Sequence, residues 1–214
     1  EINWLNVRKD IINEHGYSVS DIETIQDIGE IAKAVSDPAN NFYGWGITLG
    51  RTADADNHWL AIQNYGFNGG TMTSRSIKGL EEGFKSNATY NALRFIKGLY
   101  EDGAIPPRGM SDIGNNMAYL QGQIAFTHNG NSILYALKRE RPELASPDKT
   151  VLSPVGALDV GEESTFAFKS TEYPELAKDL IYYWYKDKEA YRKGFCEDSE
   201  MYAFPIFKSQ AKII

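Results

Sequence analysis

Asn57, His58 and Trp59 stand side by side after a run of small polar residues. Together they combine a flat aromatic face with hydrogen-bonding groups. A sugar needs that pairing, because its C–H face stacks on a ring while its hydroxyls require donors and acceptors. Trp59 fits equally well as a core anchor of the helix it opens. A second group lies within residues 123–137, QIAFTHNGNSILYAL. Residues 123–127 read as a buried strand, residues 128–132 as turn formers, and Ile133, Leu134 and Leu137 as the start of a helix. Asn131 or Ser132 can cap that helix, since a short side-chain oxygen accepts from the free first-turn amides. Strand, glycine-bearing turn and helix N-terminus together aim backbone amides at solvent or a ligand. Open α/β sheets hold ligands in such turns, beyond the carboxyl ends of their strands.

Covalent and metal chemistry have no comparable signature. Glu81-Glu82 and Glu162-Glu163 are adjacent pairs, and neighbouring side chains point apart on a helix or a strand. Asp54 and Asp56 resemble part of a calcium loop, but its later ligands and fixed glycine are missing. His15, His58 and His128 are too far apart for zinc-ligand spacing. The sequence has no Walker-type loop, dinucleotide fingerprint or nucleophile elbow. Its single cysteine, Cys196, rules out an internal disulfide framework and has no placed histidine partner. The sequon at Asn87-Ala88-Thr89 is of a kind common by chance. The reading is therefore a binding protein, not an enzyme, with no cofactor.

A formal net charge of -7 argues against nucleic acid, whose phosphates call for a basic surface. The 42% hydrophobic content supplies a sizeable core over 214 residues, and 24% charge is that of an ordinary globular chain. No apolar run is long enough to span a membrane. The chain starts at Glu1 without Met and stops abruptly at Ile214, so it reads as a piece of something longer.

The elements that position these groups alternate between helix and strand, which makes the class α/β. Residues 4–15 read as a strand running into a short helix with Val7, Ile11 and Ile12 on one face, closed by Gly16. Thr24 and Asp27 form a capping box ahead of Ile25, Ile28, Ile31, Ala32 and Val35. Residues 42–49 read as a strand in which Gly44 and Gly46 allow close backbone approach and Trp45 faces the core. Residues 57–65 read as a helix broken by residues 66–70, GFNGG. Ser86 or Asn87 opens a longer helix whose stripe is Tyr90, Leu93, Ile96 and Leu99 with Phe95, ended by Gly103. A short helix covers residues 115–121. Strands are expected over residues 151–155 and 165–168, with a glycine-bearing crossing between them. A helix starts with Pro174 at its first position. A second helix covers residues 189–195, and residues 202–207 are extended around Pro205.

Several of these stretches, in order, resemble one family: NVRKDIINEHG, TIQDIGEIAKAVSDP, YGWGITL, WLAIQNYGFNGG, ALRFIKGLYEDGAIPP, MAYLQGQIAFTHNGNSIL, YPELAKDLIYYWYKDKEAY and MYAFPIFKS. The family is that of the extracellular solute-binding proteins of ABC transporters, in the sugar-binding group that includes maltose-binding protein. Ile25 departs from it, standing where the family usually has Trp. The resemblance implies a class II periplasmic-binding-protein-like fold of two α/β lobes joined by hinge segments. On that pattern residues 1–154 are the second lobe, residues 155–204 a returning first-lobe segment, and residues 205–214 belong to the second lobe again. It also implies ligand-binding residues at Asn57, His58 and Trp59, and at Asn129, Gly130, Asn131 and Ser132. Glu162, Glu163 and Ser164 would lie near the hinge. Ser132 stands where maltose-binding protein has Trp, which removes one stacking platform and counts against a malto-oligosaccharide.

The implied function is the solute-binding component of an ABC importer, taking a sugar or oligosaccharide between two closing lobes. Alternatives are a binding protein for a peptide or other small solute, or a non-transport sugar sensor or adhesion module. The implied partners are a carbohydrate and membrane permease subunits, with no nucleic acid. The protein is expected to be a monomer, outside the cell or in the periplasm, with a lipid anchor through a missing N-terminus as one arrangement.

Overall fold

The computed structural model describes residues 4–49, 62, 66–67, 77–107, 112–130, 132–155 and 166–186. Four strands form one mixed sheet: β1 (Trp4–Arg8), β2 (Tyr43–Gly46), β3 (Ile124–Asn129) and β4 (Thr150–Ser153), in the order β2-β3-β1-β4. β1 runs antiparallel to both β3 and β4, while β2 and β3 are parallel. The first strand of the chain is thus an interior strand, and it cannot pair until β3 and β4 exist.

Seven α-helices accompany the sheet among the described residues: α1 (Lys9–Glu14), α2 (Ile25–Val35), α3 (Ile77–Phe84), α4 (Asn87–Glu101), α5 (Asp112–Leu120), α6 (Ser132–Glu140) and α7 (Pro174–Lys186). Register sorts the strand side chains onto two faces. Leu5, Val7, Trp45, Phe126 and His128 share one face, and Asn6, Arg8, Thr127 and Asn129 the other. The first face packs in a core with Ile25, Ile28, Ile31 and Ala32 of α2 and Ala92, Ile96 and Leu99 of α4. The second meets α5, whose Asn116 accepts a hydrogen bond from Asn129. A smaller apolar cluster gathers Tyr119, Ile133, Leu137 and Leu144 around Ile124.

The capping box holds. Thr24 accepts from the Asp27 amide at 3.2 Å, and the Asp27 carboxylate accepts from the Thr24 amide at 2.7 Å. The Thr24 hydroxyl also donates to that carboxylate at 2.8 Å, and this bond, with those from the Thr24 and Glu23 amides, keeps the Asp27 carboxyl below its ordinary range. All five apolar residues expected on α2 are buried. Gly44 allows the close backbone approach expected of it, whereas Gly46 makes room for side chains. A Cβ on Gly44 would collide with the Ala32 backbone, and one on Gly46 with the Asn115 side chain. Ser36 closes the α2–β2 contact, donating to Ala32 O and accepting from the Gly44 amide, both at 2.7 Å.

Other expectations need correction. Val7 belongs to β1 and not to a helical face with Ile11 and Ile12, because the strand runs to Arg8. β2 is limited to four residues. Gly66 and Phe67 are still helical, and the rest of the expected break, residues 68–70, lies outside the described residues. The buried stripe of α4 is Thr89, Ala92, Ile96 and Leu99, whereas Tyr90 and Leu93 face outward. Two stripes of that helix have the same period, and the one with smaller side chains allows the closer packing. α3 was not expected at all. Residues 166–168 form no strand, and Phe166 and Phe168 are exposed. α7 begins at Pro174 as expected, and Gly103, just past α4, has a φ of +68°. The expected hinge crossing, the helix over residues 189–195, the extended segment over residues 202–207 and Cys196 lie outside the described residues.

Candidate functional site

The site is defined by which ends of the strands come together. β2, β3 and β4 all point the same way, and β1 runs against them. One edge of the sheet therefore carries the carboxyl ends of β2, β3 and β4 beside the start of β1. Trp4 pairs with Asn129 there, and Leu5 with Ser153. Ligands of open α/β sheets lie beyond such carboxyl ends.

The turn after β3 is tied down from several sides. Asn129 is only 9% exposed. Its side-chain amide donates to Asn116 Oδ1, and its Oδ1 accepts from the Gly130 amide at 2.9 Å. Its carbonyl accepts from Asn6 Nδ2 at 3.3 Å, and the same Nδ2 lies 3.2 Å from Trp4 O. His128 is also a buried strand residue, with its ring centroid 5.7 Å from that of Trp45. His128 and Asn129 thus extend β3 and do not form the turn, because pairing with β1 continues through both. Ser132 is the first residue of α6 rather than its cap, and the Ile133 amide donates to Gly130 O at 3.3 Å. The N-terminus of α6 therefore opens at the same edge as the Asn129–Gly130 turn.

Of the residues singled out from sequence, the structure brings Asn129, Gly130 and Ser132 to this edge. Asn57, His58, Trp59, Asn131, Glu162, Glu163 and Ser164 lie outside the described residues. In sequence, Asn57 to Trp59 follow β2 and Glu162 to Ser164 follow β4, both strands that end at this edge. Sequence reasoning missed Trp4 and Asn116. Trp4 is a half-buried aromatic at the edge itself. Asn116 fixes the side chain of Asn129. The apolar run of β1 hid the first, and no spacing rule reveals the second.

The opposite edge is built for stability. Arg8 grips Asp10 through two bonds, at 3.0 and 2.9 Å, and Lys149 approaches the same carboxylate at 3.4 Å. Burial pushes the Asp10 carboxyl up, but the hydrogen bond and charge of Arg8 outweigh it and hold the group below its ordinary range. Tyr119 is fully buried, which drives its phenol upward and keeps it protonated. Among the described residues no group of three or more His, Cys, Asp or Glu could hold a metal ion. No helix among them is long and apolar enough to cross a membrane.

Residues 2–211 match the family described as bacterial extracellular solute-binding protein. The chain belongs to that family. Solved structures agree on the fold of this solute-binding chain. One is an ABC transporter solute-binding protein from Thermotoga lettingae bound with alpha-D-tagatose. It has 16% identity and a TM-score of 0.72, over 95% of this chain and 51% of that one. A maltose-bound T. maritima MalE3 has 19% identity and a TM-score of 0.70, over 99% and 54%. A protein from Agrobacterium vitis with bound D-mannitol has 16% identity and a TM-score of 0.68, over 94% and 48%. The chain spans about half the length of these structures. No curated protein matches it.

Proposed function

We propose that this chain supplies one lobe of the substrate-binding component of an ABC importer and takes a sugar or oligosaccharide at the edge formed by β2, β3 and β4. The observation that carries this reading is the shared edge. Three strand ends, the pinned Asn129–Gly130 turn and the start of α6 converge there, with Trp4 alongside. Tagatose, mannitol and maltose in the similar structures support a polyhydroxylated solute. Asn57, His58, Trp59, Asn131 and Ser132 contribute the direct contacts. Asn129 acts by holding the Gly130 turn, since both ends of its amide are already engaged. Binding requires no covalent step, so the chain is a receptor and not an enzyme.

Residues 1–154 form the second lobe, residues 155–204 a segment of the first, and residues 205–214 return to the second. The exposed apolar side chains of residues 166–186 support this division. Leu176 and Leu180 are 67% and 60% exposed, which is costly for a surface with no further cover. Closure of the two lobes on the solute is then read by membrane permease subunits. The protein works as a monomer outside the cytoplasmic membrane, free in the periplasm or held at the surface by a lipid.

The test is a tryptophan-fluorescence and thermal-shift screen of the full-length protein against mono- and oligosaccharides, with amino acids and short peptides as competitors. A saturable response to one sugar, weakened at least tenfold by Trp59→Ala, is the expected result. A response to peptides alone would overturn the substrate class and leave the fold standing.

A further inference from the structure

Between the sheet and α5, directly behind the ligand edge, lies a layer of buried polar side chains. Asn6 and Thr127 are cross-strand partners on β1 and β3, and each is fully buried. Thr127 is also the register partner of Gly46 on β2. The Asn115 side chain of α5 occupies the space where a Cβ on Gly46 would stand, and Asn115 too is fully buried. Asn6 Oδ1, Thr127 Oγ1 and both ends of the Asn115 amide have no hydrogen-bond partner among the described residues. Trp4 Nε1, on the same side of β1, is likewise buried without one. Each such group, left bare, costs roughly 1–3 kcal/mol. Native proteins rarely tolerate several together, and they meet the need with an internal water that makes about three hydrogen bonds. Directly opposed residues have Cβ atoms about 5 Å apart, a gap one water can bridge.

We propose that Asn6, Thr127 and Asn115 form a buried hydroxyl-binding site, occupied by water in the solute-free protein. The chemistry is complementary. Thr127 donates or accepts, Asn6 Oδ1 accepts, and the Asn115 amide does both. The site joins β1, β3 and the edge glycine of β2 to α5. One residue further along, the same helix holds Asn129 through Asn116. The bound water thus belongs to the framework behind the solute, whatever that solute is.

The experiment is a pair of measurements on the full chain. A high-resolution crystal structure without solute should show an ordered water within about 3.2 Å of Thr127 Oγ1 and of Asn6 or Asn115. A dry gap, or side chains turned to bond one another directly, would overturn the proposal. Thermal unfolding of Thr127→Val, which keeps the shape and removes the hydroxyl, should show a midpoint lower by about 2–4 °C. Thr127→Ser should stay near the parent. An unchanged or raised midpoint in Thr127→Val would mean that the hydroxyl was unpaired all along, and would also overturn the proposal.

Discussion

The sheet and the segment over residues 166–186 are made of similar residues but meet opposite fates. Trp45 in β2 is 1% exposed and sits against Phe95 and His128. Phe168 is 71% exposed, and its ring neighbour is Phe166. α7 carries Leu176, Leu180, Tyr182 and Tyr183 on its surface, and among the described residues its charged groups make local contacts such as Lys178 with Glu175. Apolar content therefore does not by itself make a core. A core needs facing elements at matched register; among the described residues the sheet has them and α7 does not. The first region packs its apolar side chains on one another. The second has the makings of an interface.

Trp45→Ala should be the most damaging single change, a loss of about 3–5 kcal/mol in urea unfolding, since it empties a packed site between sheet and helices. A loss under 1 kcal/mol would show that the sheet region is loosely packed, and the contrast would fail. Gly44→Ala should cost about 1–3 kcal/mol, because the new methyl meets the Ala32 backbone, which cannot swing aside. If it proved neutral, α2 and β2 would have to be free to part.

Asp10 gives the comparison a pH axis. Its folded-state pKa is depressed, so its contribution is present above the ordinary carboxylate value of 3.8 and fades as pH falls through the lower folded value. Asp10→Asn should cost roughly 1–3 kcal/mol near neutral pH and flatten the acid limb of the stability curve. An acid limb identical to that of the parent would mean that other carboxylates govern it. The smallest effect belongs to Leu180→Ser, within about 0.5 kcal/mol in this chain. A larger loss would show that α7 already has a packing partner, which would break the comparison outright.

What was legible in the sequence was local. The box at Thr24 and Asp27, the five-residue stripe of α2, Gly44 and Gly46, Gly103 and Pro174 each act within a few residues of themselves or on an adjacent element. What escaped was decided at a distance. Tyr90 and Leu93 are larger than Thr89 and Ala92, yet the smaller pair is buried, with Thr89 donating to Gly83 O on the neighbouring helix. His128 and Asn129 look like turn residues, but β1 recruits them into the strand. The candidate edge was visible as one turn, whereas the convergence of β2, β3 and β4 needed the strand order. The hold of Asn116 on Asn129 spans two elements, and composition carries no trace of it.

The central position of β1 also governs when the protein can form. Asn6 reaches Asn129 across 123 residues, and β4 ends only at Ser153. Closing loops of that length comes before any reward from pairing, so folding of such topologies is slow. During synthesis β1 has no partner until β3 has been made. A strand left open for that long keeps the whole sheet from closing until its distant partners arrive.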